Sequence, residues 1–399
     1  MWVQDFGPVV TAFEDAARSY SEAQGNIKAT VQPVPYNDLQ TKMLPSVAAG
    51  TEADIIMGYT NWYLATDVSR LWLPLDDYFG GRAELEQIVF PSALQMIDTP
   101  EGRAYYLPYL SGLDGVVLTL NTQHYAEQNI DYMGFASFED VTEAGKALTQ
   151  TEGDQVTRAG LSLIGPAYFV LLNWIYQQGG NFFDRESGVW NFSTEEGTAA
   201  LQRLHDLIWV DKTTSFDLFT DDTEGYLQGK VSTQGAGSWT AAWSESQSPD
   251  LDSDSIPLPP LLNAAEDVVT PYNIAVVTLS RRLADAADKL DACVGIAREM
   301  FSAEALLSIT EVYSGALASQ QLYSDPRIEQ TKYGPLSKRI AEGTWPRARY
   351  PQGRVAAFQP AQTEVERALR QEITIQEALA NLDAYHNEQE SQARERLGL

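Results

Sequence analysis

Residues 107–121, Leu-Pro-Tyr-Leu-Ser-Gly-Leu-Asp-Gly-Val-Val-Leu-Thr-Leu-Asn, are the stretch around which the chain is organised. The run from Val116 to Asn121 is short, apolar and rich in valine, the pattern of a strand buried on both faces. Strand and helix signals alternate before it, and a second such series follows it. The run therefore stands where the chain leaves one α/β lobe and enters the other. The polar group ahead of it, Ser111-Gly112-Leu113-Asp114, is then expected where the two lobes face each other.

Composition narrows the function. A chain of 399 residues is long for one core, so two or three units are expected. No run reaches the roughly 20 apolar residues of a membrane span. The first ten residues have no basic segment ahead of an apolar core, so no signal segment is read in this chain. A formal charge of −28 repels a phosphate backbone, so nucleic acid is not an expected partner. The single cysteine, Cys293, allows no intrachain disulfide and falls in a helical pattern with Leu290, Val294 and Ala297, as a core thiol would. His124, His205 and His386 show no metal-ligand spacing, and neither metal nor cofactor is expected.

In chain order, Pro8 opens a helix with Val9, Phe13, Ala16, Ala17 and Tyr20 on one face, and residues 27–34 read as a strand. A helix over 36–49 stops at Gly50, and 53–58 is a short buried strand. Its exit, Tyr59-Thr60-Asn61-Trp62-Tyr63, puts aromatic and amide groups at the end of a parallel strand, where open α/β sheets hold ligands. Ser137 and Asp140 form a capping box, and 159–164 reads as a strand. Residues 167–174 are apolar all round, hence a buried helix, and a hairpin follows within 182–192. A strand over 231–234 enters Gly235-Ala236-Gly237-Ser238-Trp239, a tight strand-to-helix turn that presents Trp239. The apolar run 274–279 returns the chain to the first lobe, and the last ~60 residues carry two helices, the second opened by Thr374 and Glu377.

The sequence contains no dinucleotide fingerprint, phosphate-binding loop or nucleophile elbow, and no catalytic residue is assigned. With 55 acidic residues, some pair of carboxylates is always to be found, so a glycosidase-like pair stays open as an alternative. The remaining signal is aromatic. Trp62, Tyr63, Tyr168, Trp239, Tyr272, Trp345 and Tyr350 fall at loop or helix-start positions, several beside Asn, Asp or Ser. Sugar rings offer flat apolar faces rimmed by hydroxyls, so platforms of this kind suit carbohydrate. For each ring taken singly, packing in the core is the competing reading.

Several segments together resemble the extracellular solute-binding proteins of ABC importers, in the cluster related to maltose-binding protein. Residues 50–56, Gly-Thr-Glu-Ala-Asp-Ile-Ile, resemble the family's G-x-x-P-D-[IV]-[IV] signature, with Ala53 in place of proline. Leu107 to Asn121 resembles its crossover, with Leu120 where tyrosine is common. Ser137-Phe138-Glu139-Asp140 is similar to a T-W-x-E helix start, and Gly237-Ser238-Trp239 to a G-P-W turn.

The resemblance implies an α/β, two-lobed periplasmic-binding-protein fold with a ligand cleft between lobes joined by hinge strands. The expected lobes are 1–118 with about 271–316, and 119–270 with about 317–399. The resemblance implies a binding protein rather than an enzyme. It would capture a soluble di- or oligosaccharide outside the cytoplasm, at a periplasmic or lipid-anchored location. It would then deliver the sugar, as a monomer, to membrane permease subunits. Other readings are a carbohydrate hydrolase, or a binder of a polyamine or sugar phosphate. By position, Asp114 would bond sugar hydroxyls, Trp239 would stack, and Tyr168, Trp62 and Phe358 would line the site. Asn61, Tyr272, Asn273, Trp345 and Tyr350 complete the expected ligand-binding set.

Overall fold

The structure, a computed structural model, describes residues 1–25, 27–62, 67–97, 102–111, 117–184, 187–219, 221–257, 274–313, 315–347 and 358–397. The chain forms two compact units, Met1–Gly112 with Asn273–Ala348 and Leu113–Tyr272 with Arg349–Leu399. The strands in chain order are β1 Trp2–Gln4, β2 Gln32–Val34, β3 Ile55–Tyr59, β4 Leu107–Ser111, β5 Val117–Asn121, β6 Gln150–Glu152 and β7 Gln155–Arg158. They continue as β8 Phe183–Asp184, β9 Val189–Trp190, β10 Thr233–Ala236, β11 Ser253–Pro257, β12 Ile274–Leu279 and β13 Ala316–Leu317.

The first unit is built on a six-stranded sheet in the order β13-β4-β12-β3-β1-β2. β1 runs parallel to β2 and β3, whereas β12 is antiparallel to β3 and β4, and β13 to β4. All six residues of β12 are buried, as an unbroken apolar run requires. The helix Gly7–Gln24 buries Val9, Ala12, Phe13, Ala16 and Ala17, with Pro8 in its first turn. The helix Tyr36–Ala49 ends where Gly50 takes φ +67°, which a side chain would strain. Cys293 is buried, and the low-dielectric surroundings push its thiol up to about 11.

The stretch 107–121 divides between the two units. β4 lies inside the six-stranded sheet, although Pro108 lacks an N–H for the ladder. A register shift between Ala275 and Val276 of β12, opposite Leu110 and Pro108, accommodates it as a bulge. β5 is the middle strand of a separate three-stranded antiparallel sheet, β10-β5-β11, in the second unit. Two isolated parallel bridges, Ala159 to Val231 and Ser162 to Gln234, extend that sheet. β6 with β7 and β8 with β9 form antiparallel hairpins.

In the second unit every residue of the helix Ala167–Gln177 is buried, in agreement with a sequence that is apolar on all sides apart from Asn173 and Gln177. The C-terminal helix Ile375–Leu397 grips the β8–β9 hairpin. Asn387 Oδ1 accepts from the backbone N–H of Trp190 at 2.9 Å and its Nδ2 donates to the Trp190 carbonyl at 2.8 Å. Ser137 and Asp140 form the capping box that their spacing predicts.

Three expectations are corrected. The strand expected over 27–34 is confined to Gln32–Val34. Residues 159–164 form isolated bridges and no strand of their own. The lobe bounds move: residues 113–118 belong to the second unit, and residues 317–348 to the first, because β13 pairs with β4 and the helix Gly334–Arg347 packs on β13. The strand carrying this assignment is only two residues long, too short for a periodic signal.

Candidate functional site

In the first unit, the parallel pairing of β1, β2 and β3 brings their C-terminal ends to one edge. Gln4 closes β1, Tyr36 follows β2, and Tyr59 closes β3 ahead of the single turn Thr60–Trp62. The rings of Tyr36, Tyr59 and Trp62 form a mutual cluster with all three centroid separations at 5.1 Å. Trp62 Nε1 donates to the Tyr36 hydroxyl at 3.2 Å, and the Tyr59 hydroxyl donates to Gln4 Oε1. Trp62 is held edge-on and is only 7% exposed, while Tyr36 and Tyr59 are half-buried. Tyr36 and Gln4 are absent from the sequence-derived set. Both join this cluster through strand pairing, which no local pattern encodes.

In the second unit, β10 leads through Gly237 and Ser238 into Trp239, which caps the helix Thr240–Gln247. Trp239 is 36% exposed and meets the ring of Trp243 edge-to-face at 5.9 Å. A tryptophan held by a neighbouring ring and open on one side is the platform expected of a ligand-facing aromatic. Gly235 sits in β10 because a Cβ there would lie 2.6 Å from Leu163 Cδ2 and 2.9 Å from Pro166 Cγ.

A buried carboxyl supports the same strand end. Asp222 Oδ1 accepts from the Ser162 hydroxyl and its Oδ2 from the Gly165 amide, each at 2.9 Å. Ser162 in turn accepts from the Gly235 amide and donates from its own amide to the Thr233 carbonyl. Burial pushes the Asp222 carboxyl up to about 6, which the two hydrogen bonds only partly offset.

Tyr168 is placed elsewhere. It is fully buried in the first turn of the helix Ala167–Gln177, with its hydroxyl 2.8 Å from His386 Nε2. Its ring stacks on that imidazole at 5.8 Å, and it presents no face to solvent. The structure thus makes Tyr168 a core residue, since a helix buried on every side leaves no free face. Asp114, Tyr272, Asn273 and Tyr350 lie outside the described residues. Of Asn61, Trp345 and Phe358 only the backbone is described: in the turn Thr60–Trp62, in the helix Gly334–Arg347, and at the start of the helix Phe358–Leu369. Among the described residues no helix is long and apolar enough to cross a membrane.

Each of the two α/β units carries an aromatic group at a strand end, and the sequence match assigns the chain to a class of solute-binding proteins. The bacterial extracellular solute-binding protein family matches residues 6–291, and the chain belongs to that family, which is one of binding proteins rather than enzymes. An arabinooligosaccharide-binding protein of Halalkalibacterium halodurans is 27% identical over 213 residues, covering 51% of this chain and 44% of that protein. The match thus spans less than half of the relative's length. The maltose/maltodextrin-binding domain MalE of Bdellovibrio bacteriovorus, bound to maltotriose, superposes with a TM-score of 0.72 at 15% identity, over 97% of this chain and 98% of that one. UgpB of Mycobacterium tuberculosis, in complex with glycerophosphocholine, superposes with a TM-score of 0.75 at 15% identity, over 100% of this chain and 98% of that one. At these identities the likeness shows the two-lobed fold.

Proposed function

We propose that this protein captures a soluble di- or oligosaccharide outside the cytoplasm and hands it to the membrane permease of an ABC importer, making and breaking no bond. The observation that carries the reading is Trp239, an exposed ring at a strand-to-helix turn, braced by Trp243. The trio of Tyr36, Tyr59 and Trp62 at the ends of the parallel strands supports it. So does the arabinooligosaccharide-binding relative. Asn61, Asp114, Tyr272, Asn273, Trp345, Tyr350 and Phe358 remain in the proposed set on the resemblance alone. Tyr168 leaves it, and Tyr36 joins it.

The choice of sugar over another polar solute is open to a direct test. The full chain is screened by thermal shift against arabinooligosaccharides, maltotriose and glycerophosphocholine, since a ligand of the folded state raises its melting temperature. A rise with an oligosaccharide, confirmed by calorimetry with no product formed, is expected. A rise with glycerophosphocholine alone would replace sugar by a phosphodiester, and steady release of shorter sugars would end the binding-only reading.

A further inference from the structure

A polar row crosses the three-stranded sheet of the second unit, on whose strands β5 and β11 the helix that Trp239 opens is packed. Gln234 of β10 stands directly opposite Thr119 of β5, and Thr119 directly opposite Ser255 of β11. Directly opposed residues share one face of a sheet. Ser253, two residues before Ser255 and so on that same face, bonds Tyr226 of the helix Asp222–Leu227 at 2.9 Å. Thr233, on the other face, bonds Tyr125. The helix Thr240–Gln247 packs on β11 and β5 and buries Thr240, Ala241 and Ser244. Thr240 and Ser244 are four apart and therefore share one side of that helix.

These side chains are buried and unsatisfied. Thr119, Gln234, Thr240 and Ser244 are 0% exposed and Ser255 is 3% exposed. Thr119 Oγ1, both amide atoms of Gln234, and the hydroxyls of Thr240, Ser244 and Ser255 have no hydrogen-bond partner within the protein. Buried polar atoms in folded proteins are satisfied in the great majority of cases, by protein or by ordered water. Opposed side chains in an antiparallel sheet root about 5 Å apart, a gap that one bridging water closes with two to four bonds.

We propose that this row is a built hydration site. A short line of ordered water, held by Gln234, Thr119 and Ser255 from below and by Thr240 and Ser244 from above, seats the Trp239 helix on the sheet. Gln234 is its positioning residue, because it alone offers both a donor and an acceptor amide atom to the line. The helix then rests on exchangeable hydrogen bonds, with Ala241 as its one buried apolar side chain among the described residues, and it shifts without breaking interdigitated packing. The consequence for a ligand rests on the proposed role of Trp239; the hydration itself does not.

The test uses the full chain without ligand. Thr119→Val conserves shape and removes one hydroxyl from the row. With water in place, the variant strands the remaining partners. Its melting temperature falls, and the backbone amides of residues 240–247 exchange about tenfold faster. The emission assigned to Trp239, taken as the difference from Trp239→Phe, shifts as well. In a dry row the same change removes a costly unpartnered hydroxyl, so a higher melting temperature with unchanged exchange overturns the proposal. Wild-type protein supplies the second measurement, which needs no variant to fold. Cross-relaxation from bulk-exchangeable water to the Gln234 side-chain amide supports the row, and a crystal structure with the six atoms bonded directly to one another refutes it. No arm uses a sugar, so failure to find a ligand would count against the functional reading alone.

Discussion

The Tyr168 hydroxyl and His386 Nε2 lie 2.8 Å apart, in a ring of aromatic side chains that also includes Trp190 and Phe192. Burial holds the imidazole down at about 3, so His386 is neutral, and its Nε2 shares one hydrogen bond with the tyrosine hydroxyl. The pair joins the helix Ala167–Gln177 to the C-terminal helix Ile375–Leu397. Tyr168→Phe removes the hydroxyl and leaves a buried nitrogen unpaired, at an expected cost of about 1–3 kcal/mol. Chemical denaturation reads that loss. Affinity for the sugar found in the screen should stay at the wild-type value, and a weakened affinity at unchanged stability would return Tyr168 to the ligand site.

His386 and Asp222 make opposite demands on pH. An imidazole in the unfolded chain takes up a proton near its ordinary 6.5, whereas the folded His386 stays neutral down to about 3. Its contribution to stability is therefore lost as pH falls below 6.5, at about 1.4 kcal/mol per unit. Asp222 is raised from 3.8 to about 6, so the folded carboxyl binds a proton that the unfolded one releases. It contributes stability as pH falls from 6 towards 3.8. Asp222→Asn removes the gain and leaves the loss. Between pH 6 and 4 the variant should lose stability more steeply than wild type, by about 1.4 kcal/mol per unit. Parallel denaturation curves across that window would show that Asp222 titrates normally.

What was legible in the sequence was local. The helix Tyr36–Ala49 and its stop at Gly50 follow from periodicity and one glycine, and the turn presenting Trp239 from the step between strand and helix patterns. Residues 107–121 announced a change of lobe, but not that they hold strands of two different sheets, because Pro108 hid an interior strand whose bulge only the partner β12 reveals. Pairing also hid the rest. Tyr36 reads as a helix opener until β1, β2 and β3 align, and β13 is too short to read. Tyr168 shows the reverse case. The all-apolar pattern that buried its helix already left it no open face, and that inference outranked its position at a helix start.

Net charge makes a separate prediction. At −28 the folded chain repels itself, and several ion pairs among the described residues, such as Arg70–Asp67 and Arg327–Glu304, are exposed ones of small individual worth. Raising the ionic strength from roughly 0.01 M to 0.15 M shortens the screening length from about 30 Å to about 8 Å. Repulsion summed over the excess of like charges weakens more than the individually small exposed pairs do, so the melting temperature should rise by several degrees. A fall with added sodium chloride would mean that the ion pairs dominate.

Trp239 decides the functional reading. A tryptophan plugging a core loses about 3–5 kcal/mol on truncation to alanine. Trp239 is 36% exposed, so Trp239→Ala should cost less than a core plug, about 1–2 kcal/mol, of which the edge-to-face contact with Trp243 is one part. Binding depends on the ring differently. If its open face carries a sugar, the variant forfeits most of one apolar platform, and affinity should fall by about 10- to 100-fold, or 1.4–2.7 kcal/mol. Calorimetric titration of wild type and variant with the same oligosaccharide, beside their melting curves, separates the two effects. Sharply weakened binding at a nearly unchanged melting temperature marks a ligand platform. Intact affinity with a large loss of stability would make Trp239 part of the fold and would leave the second unit without its proposed stacking platform.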